Sequence, residues 1–215
     1  HFHYGYFVYA ASEVARRYPG FVDQYGDMVR LLIRDYANWE RPENDGDGTA
    51  PSPIDATTPR DSPKDAFPFL RNFDPYAGHS WAGGFGSFSG NNQESSSEAV
   101  NAYAAMIRWG ELTGDDEIRD AGIFLYTQEV HAVWEYWFDV ENDSHPDDWG
   151  RTVEDQSFAA TGSTFEYATK VRGIGFDRDL FFGHSDPVAV HRINWIPIGR
   201  HSFYHRRNRA YADAH

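Results

Sequence analysis

One segment of the chain, positions 94–112, is apolar on almost every side when it is drawn as a helix. It lacks the continuous polar stripe that a surface helix carries. Its apolar members are Ala99, Val100, Ala102, Tyr103, Ala104, Ala105, Met106, Ile107 and Trp109. A helix that is hydrophobic all round is buried in a globular protein. We therefore expect this helix to lie in the interior of the fold.

Three further segments show the apolar periodicity of amphipathic helices. Two of them, at 5–18 and 21–36, are separated by a Pro-Gly pair that ends the first helix. The last begins with acidic residues at 115–117, directly after a Thr-Gly pair closes the central helix. The expected core-facing residues are Phe7, Val8, Ala11 and Ala15 in the first, Phe21, Tyr25, Met28, Val29, Leu32 and Tyr36 in the second, and Ile118, Gly122, Leu125, Val133 and Trp137 in the last.

These four helices form two antiparallel pairs, which predicts an all-α fold of repeated helix hairpins, such as an α/α toroid, with long loops at one end. Positions 40–66 are rich in Pro and Asp and lack periodicity, which is typical of a long inserted loop. The region after position 139 is loop-like, with short strands expected around 164–171. The tail from 187 to 215 is expected to hold one or two more helices.

Composition excludes several kinds of function. The formal net charge of −14 makes nucleic acid a poor partner. Lysine occurs only at positions 64 and 170, and an acidic, Lys-poor chain suits a salty environment in which self-repulsion is screened, so we carry a halophilic source as a hypothesis. With no cysteine there are no disulfides, thiolate metal sites or Cys nucleophiles. No apolar run approaches a membrane span, and no metal or cofactor is expected.

A pair of acids opens the central helix. Glu94 and Glu98 are spaced i, i+4, so they share one helix face if the helix includes both. A Gly-rich loop carrying Asp74, His79 and Trp81 precedes them. Acids that merely favour a helix start, with a structural loop histidine and tryptophan, are the ordinary alternative. Paired carboxyl groups beside aromatic and polar loop residues are, however, what cleavage of a glycosidic bond requires.

Other candidate residues lie near the two ends of the chain. His1, His3, Tyr4 and Tyr6 in HFHYGYF could include copper ligands, but no third ligand is evident, and we interpret them as sugar contacts at the mouth of a cleft. The two histidines point the same way only if this segment is extended. Later polar candidates for the cleft are His191 and Asn194. We expect Glu129 to be a helix-surface acid, although its place on an apolar stripe leaves a buried third acid as the alternative.

Four blocks in this order, HFHYGYF, FPFLRNFDPYAGHSWAGG, NNQESSSEAVNAY and VHRINWIPI, resemble glycoside hydrolase family 81, the endo-β-1,3-glucanases. The resemblance implies endo-acting hydrolysis of β-1,3-glucans such as laminarin, curdlan or callose, with inversion, in a groove of an (α/α)6 barrel. Glu94 and Glu98 match the family's motif glutamates, one of which is the general base, with a slight preference for Glu94. Expected substrate contacts within the blocks are Asp74, His79, Trp81, Asn92 and Gln93.

In the family the first block begins Asp-His-His, and its leading Asp is the general acid, whereas this sequence begins at the second His. We therefore expect residues 1–215 to be one incomplete catalytic domain of a larger, secreted enzyme. Asp74 is a conceivable substitute acid. Because i, i+4 neighbours lie too close to form an inverting pair, one of the two glutamates would be the base and the other would orient the water.

Two other function classes remain open from the sequence. A glucan-binding module without catalysis would keep the aromatic groove but not turn over substrate. A polysaccharide lyase on a similar toroid would use a Tyr or His base on uronic acids, although the negative charge of the chain disfavours anionic substrates.

Overall fold

The structure is a computed structural model that describes residues 2–41, 67–82, 95–138, 198–207 and 209. Its four α-helices are α1 (Phe2–Arg17), α2 (Gly20–Ala37), α3 (Ser96–Thr113) and α4 (Asp116–Ala132). The shorter elements are β1 (Phe73–Asp74), β2 (His79–Ser80), a π-helical turn (Val133–Phe138) and a 3-10 helix (Arg200–Arg206). The prediction of a mainly helical fold is confirmed for the described residues.

The central helix α3 is buried along most of its length, as predicted. It packs against α1 on one side and α4 on another. The contact with α1 is close at Gly5, where an added Cβ would lie 2.6 Å from both Cα and Cβ of Ala102. Tyr36 of α2 donates its hydroxyl to the Ala102 carbonyl at 3.1 Å. Helices α1 and α2 therefore meet the same short stretch of α3.

The turn between α3 and α4 follows from local sequence signals, and the predicted boundary is confirmed. Gly114 adopts φ of 70°, a left-handed conformation that glycine takes without a Cβ clash. Asp115 then caps α4 by accepting the backbone N–H of Ile118 at 3.1 Å. Two residues thus suffice to reverse the chain into a helix hairpin.

The starts of α1 and α3 differ from the predicted ones. Helix α1 begins at Phe2 rather than at position 5, so residues 2–7 of the HFHYGYF segment are helical and not extended. Helix α3 begins at Ser96 because Ser95, with extended backbone, accepts the N–H of Glu98 as the N-cap. The helical i, i+4 argument for the two glutamates therefore does not extend to Glu94.

The predicted core faces of α1 and α2 are confirmed in part: Val8, Ala11 and Ala15 are buried in α1, and Val29 and Tyr36 in α2. Phe7 is 62% exposed and Met28 is 55% exposed, although both were expected in the core. The buried face of α1 consists of Phe2, Gly5, Val8, Ala11, Ser12 and Ala15. Most of these residues are small, and at Gly5 the close approach of α1 to α3 leaves no room even for a Cβ. The buried face of α2 includes Val29, Ile33, Tyr36 and Ala37.

A short hairpin follows α2 within the stretch predicted as a Gly-rich loop. Phe73 pairs with Ser80 and Asp74 with His79, so β1 and β2 are antiparallel. The approach to this hairpin is fixed by Asn38, which is fully buried and donates Nδ2 to the Phe67 carbonyl at 2.8 Å. Strand β2 packs against α4. The hairpin is thus held between the end of α2 and the helical core.

Several predictions fall wholly or partly on residues outside the described ranges. The inserted loop at 40–66 is described only at Glu40 and Arg41, and the strands expected at 164–171 lie outside the described residues. The 3-10 helix Arg200–Arg206 is the described part of the predicted C-terminal helices. None of the described helices is both long and apolar enough to cross a membrane.

Candidate active site

Asp74 organises the turn of the hairpin. Its Oδ1 accepts the backbone N–H groups of Tyr76 at 2.9 Å and Ala77 at 3.2 Å. Its Oδ2 accepts the indole N–H of Trp81 at 3.1 Å. Burial alone would raise the pKa of Asp74, but these three hydrogen bonds outweigh it and hold the pKa below its ordinary value. Asp74 is therefore a carboxylate at neutral pH, which disfavours its use as a substitute proton donor.

His79 is a buried, neutral imidazole beside Trp81. The ring centroids are 4.5 Å apart with an interplanar angle of 66°. His79 Nδ1 lies 2.8 Å from the Ser80 carbonyl oxygen, and since a carbonyl only accepts, Nδ1 carries the proton. Burial lowers the pKa of His79 to about 4, although the Ser80 carbonyl and the charge of Asp74 both favour the protonated ring. Because His79 is fully buried and Trp81 is 8% exposed, direct sugar contact by either stays a prediction.

Glu98 meets α1 through the hydroxyl of Tyr6. Tyr6 Oη donates to Glu98 Oε1 at 2.9 Å, which joins the first turn of α3 to the first turns of α1. Burial, followed by the hydrogen bond and charge of Glu98, raises the pKa of Tyr6. The phenol therefore keeps its proton and serves Glu98 as a donor. His3 and Tyr4 lie on the same N-terminal part of α1 and are exposed.

The remaining predicted site residues lie outside the described residues: His1, Asn92, Gln93, Glu94, His191 and Asn194. Their roles stay predictions. The structure brings Tyr6 to Glu98, and it brings Asp74, His79 and Trp81 together in one hairpin. Among the described residues, no group of three or more His, Asp or Glu side chains is placed to hold a metal ion.

Glu129 is a functional candidate that the sequence interpretation misjudged. The expectation of a surface acid is wrong, because Glu129 is fully buried in α4. Its Oε2 accepts the backbone N–H of Ser80 at 2.7 Å and its Oε1 accepts the Ser80 hydroxyl at 3.0 Å. The signal in the sequence was its spacing of four from Leu125 on the apolar stripe. The polar hairpin that makes its burial acceptable is distant in sequence, and periodicity does not reveal it.

The hairpin is also linked to α3 through Tyr103. Burial raises the pKa of Tyr103 well above its ordinary value, and the negative charge of Glu129 adds to this, whereas a hydrogen bond with Ser80 opposes it. Tyr103 and Glu98 belong to the same helix. One rigid element thus carries both Glu98 and a contact to the Asp74 hairpin.

Residues 1–214 match the model described as the glycosyl hydrolase family 81 C-terminal domain. The chain belongs to glycoside hydrolase family 81. This agrees with the four sequence blocks, and the helical fold agrees with it as well.

Two similar proteins are bacterial glucan endo-1,3-beta-D-glucosidases. The chain is 43% identical over 207 residues to a glucan endo-1,3-beta-D-glucosidase of Acetivibrio thermocellus, which covers 95% of this chain. It is 34% identical over 206 residues to the protein of the same name from Thermobifida fusca, covering 94% of this chain. The chain spans 22% of the length of each of these relatives.

A solved family 81 structure supports the same relationship. The glycoside hydrolase family 81 protein of Clostridium thermocellum, determined as a glutamate-to-alanine mutant, matches with a TM-score of 0.71 and 38% identity. The match covers all of this chain and 25% of that protein. The chain therefore corresponds to one part of a much larger family 81 molecule.

Proposed function

We propose that this chain is part of the catalytic domain of an enzyme that hydrolyses internal bonds of β-1,3-glucan with inversion. The observation that carries the proposal is the Glu98 carboxylate in the first turn of α3, with the Tyr6 hydroxyl 2.9 Å from its Oε1. A carboxylate held by a neutral donor at a helix N-terminus is oriented without being neutralised. It remains able to bind the attacking water.

In this mechanism Glu94 is the general base and Glu98 orients the water or tunes the pKa of its neighbour. Inversion needs the acid and the base roughly 6.5–9.5 Å apart, on opposite sides of the sugar. Asp74 is a hydrogen-bonded carboxylate and His79 is neutral with its pKa near 4, so neither suits the role of acid at neutral pH. We assign the proton donor to a residue outside this hairpin, in line with the Asp that the family resemblance implies.

The substrate groove of the proposal runs between the N-terminal turns of α1 and the hairpin. His3, Tyr4 and Tyr6 offer exposed or half-exposed polar and aromatic groups on one side. Tyr76 at the tip of the hairpin is fully exposed. Aromatic rings and polar tips of this kind suit the apolar faces and hydroxyl rims of glucose units. His1, Asn92, Gln93, His191 and Asn194 are proposed contacts on the same groove.

The larger setting belongs to the proposal as well. We infer that the described helix hairpins form part of an (α/α)6 toroid and that residues 1–215 belong to one catalytic domain. A polymeric β-1,3-glucan is an extracellular or cell-wall substrate, so we propose that the parent enzyme is secreted. No cofactor is needed, because two carboxyl groups and a water molecule suffice for the reaction.

The proposal is tested by reducing-sugar release from laminarin, with the chain extended upstream to include an Asp-His pair before His1. The fresh products should carry the α-anomer, which nuclear magnetic resonance detects before mutarotation. Glu94→Gln and Glu98→Gln should each lower kcat by about 10² to 10⁴-fold. Glu111→Gln, an exposed acid on the same helix, is the matched control and should leave kcat unchanged. Absence of sugar release by a folded, extended chain would count against the proposal.

A glucan-binding module without catalysis is the second candidate. It is favoured by the protonation states of Asp74 and His79, which leave the described hairpin without a proton donor at neutral pH. It predicts binding to insoluble curdlan that Glu98→Gln does not change. The lyase alternative predicts an unsaturated, ultraviolet-absorbing product, and the raised pKa of Tyr6 disfavours that residue as its base.

A further inference from the structure

Glu129 makes two hydrogen bonds to a single residue of the hairpin. Both its carboxylate oxygens are used, one by the backbone N–H of Ser80 at 2.7 Å and the other by the Ser80 hydroxyl at 3.0 Å. Hydrogen bonds to an ionised acceptor are shorter and stronger than neutral ones. The two bonds together fix both the position and the rotation of β2 relative to α4.

The burial of Glu129 is costly unless it serves such a purpose. The residue is fully buried, and burying a carboxyl group is unfavourable unless hydrogen bonds replace its water. Tyr103 and Tyr204 are also buried nearby, and the negative charge of Glu129 contributes to their raised pKa values after burial itself. An apolar side chain at this position would avoid the cost but would leave the Ser80 groups without these bonds.

Ser80 connects Glu129 to the hairpin, whose exposed tip residue Tyr76 is proposed to face the substrate. It lies between His79 and Trp81 in sequence, so a shift of Ser80 moves both rings. The backbone N–H of Trp81 donates to the Asn72 carbonyl at 2.8 Å, and its indole N–H donates to the Asp74 carboxylate. A displacement of Ser80 from Glu129 would therefore displace the whole hairpin.

We propose that Glu129 is a positioning residue that holds the Asp74–His79–Trp81 hairpin in place for glucan binding. It acts through Ser80 and does not touch the sugar. The proposal rests on the proposed function for its effect on glucan, but the effect on the hairpin itself can be measured independently. The rigid α4 helix supplies the fixed end, as a supporting residue for a binding site requires.

The test uses the full chain with four variants. Glu129→Met keeps the length of the side chain but removes both acceptor oxygens. Glu129→Gln keeps one acceptor oxygen and adds an amide N–H that can donate to the Ser80 hydroxyl oxygen. Ser80→Ala removes the hydroxyl, with its bonds to Glu129 and Tyr103, and keeps the backbone N–H bond to Glu129. Ser12→Ala, a buried serine whose hydroxyl donates to the Val8 carbonyl at 2.9 Å inside α1, is the matched control. Each variant is measured by hydrogen exchange of the peptide spanning 73–81 and by the Kd for laminarin oligosaccharides.

Glu129→Met should raise hydrogen exchange in 73–81 by at least tenfold while α1 and α3 keep their protection. It should also weaken glucan binding by about tenfold or more, since lost hydrogen bonds to a charged group have effects of this size. Ser80→Ala should weaken binding by a smaller factor. Glu129→Gln should restore most of the affinity, and Ser12→Ala should change neither measurement. In the Glu129→Met, Ser80→Ala double variant the two losses should not multiply, because both act on the same contact.

Unchanged exchange in 73–81 for a folded Glu129→Met protein would overturn the proposal, and so would losses that multiply in the double variant. If Glu129→Met does not fold, equal affinity and exchange for wild type and Ser80→Ala overturn it. A wild-type chain that binds no glucan overturns the proposed function instead. In that case the hydrogen-exchange results alone decide whether Glu129 holds the hairpin.

Discussion

At the residue scale, the hydroxyl of Tyr6 joins two helices whose contact residues are 92 positions apart in sequence. It orients the Glu98 carboxylate while keeping its own proton. This contact could not be predicted, because the sequence places Tyr6 only on a helix and does not specify which partner it meets. The aromatic and polar character of HFHYGYF predicted sugar contacts there, and this stays a prediction.

Tyr6→Phe should therefore lower glucan turnover by roughly tenfold and the free energy of unfolding by about 1 kcal/mol, since one hydrogen bond to a carboxylate is lost. Steady-state kinetics and urea unfolding measure the two effects. Tyr25→Phe is the control, because Tyr25 is also partly exposed and packs against Phe21 with ring centroids 5.0 Å apart. Equal activity of the Tyr6→Phe and wild-type proteins would contradict the assigned role.

His79 gives the protein a specific sensitivity to acid. Its pKa is lowered from 6.5 to about 4, so the unfolded chain takes up a proton at a higher pH than the folded one. Its contribution to stability is complete above pH 6.5 and is lost as the pH falls toward 4. Over this range the free energy of unfolding falls by about 3 kcal/mol, the energy that corresponds to a pKa change of this size.

His79→Gln should remove that part of the acid sensitivity. The difference in unfolding free energy between pH 7 and pH 4 should be smaller in His79→Gln than in wild type by an amount on this scale. His131→Gln, at an exposed histidine of α4, should follow the wild-type curve. Parallel curves for His79→Gln and wild type between pH 7 and 4 would show that the ring titrates normally.

At the element scale, α1 approaches α3 closely at Gly5. A Cβ there would lie 2.6 Å from backbone and side-chain atoms of Ala102, so the helices must separate. Gly5→Ala should destabilise the fold by about 1–3 kcal/mol, the typical cost of overpacking. Differential scanning calorimetry measures this change.

Gly20→Ala is the matched control for that substitution. Gly20 begins α2 and has open space where a Cβ would lie. Alanine there should be neutral or should stabilise the protein by about 0.4–1 kcal/mol, because it restricts the unfolded chain. If Gly5→Ala were equally well tolerated, the packing of α1 on α3 would have to differ from that described.

The sequence predicted helix boundaries correctly where neighbouring residues determine them. The Gly114 turn and the Asp115 cap act within four residues, and both follow from residue type. The start of α3 was placed two residues early because three serines in succession offer several possible caps. Tertiary burial of Ser95 and its bond to the Glu98 N–H select one of them.

At the scale of the whole molecule, the net charge of −14 sets the dependence on salt. Like charges on a compact chain repel, and the screening length falls from about 10 Å at 0.1 M to about 3 Å at 1 M salt. The Tm should therefore rise as NaCl increases from 0.1 to 1 M. A gain of 1 kcal/mol corresponds to roughly 2–4 °C for a chain of this size.

Comparison of NaCl with KCl separates screening from specific ion binding, since screening acts equally for both. Full stability in dilute buffer, with no further gain from salt, would remove the hypothesis of a halophilic source. The acidic surface is then a matter of solubility alone.

The pattern along the chain was sufficient to establish a helical family 81 segment with a buried central helix and a capped turn into α4. Helix propensity, caps and apolar periodicity act over a few residues, so residue order alone specifies them. The exposure of Phe7, the burial of Glu129 and the contact of Tyr6 with Glu98 depended on packing between segments far apart in sequence. A carboxylate such as Glu129 is tolerated in the interior because Ser80, 49 residues away in sequence, donates two hydrogen bonds to it. Only the assembled fold places Ser80 beside Glu129.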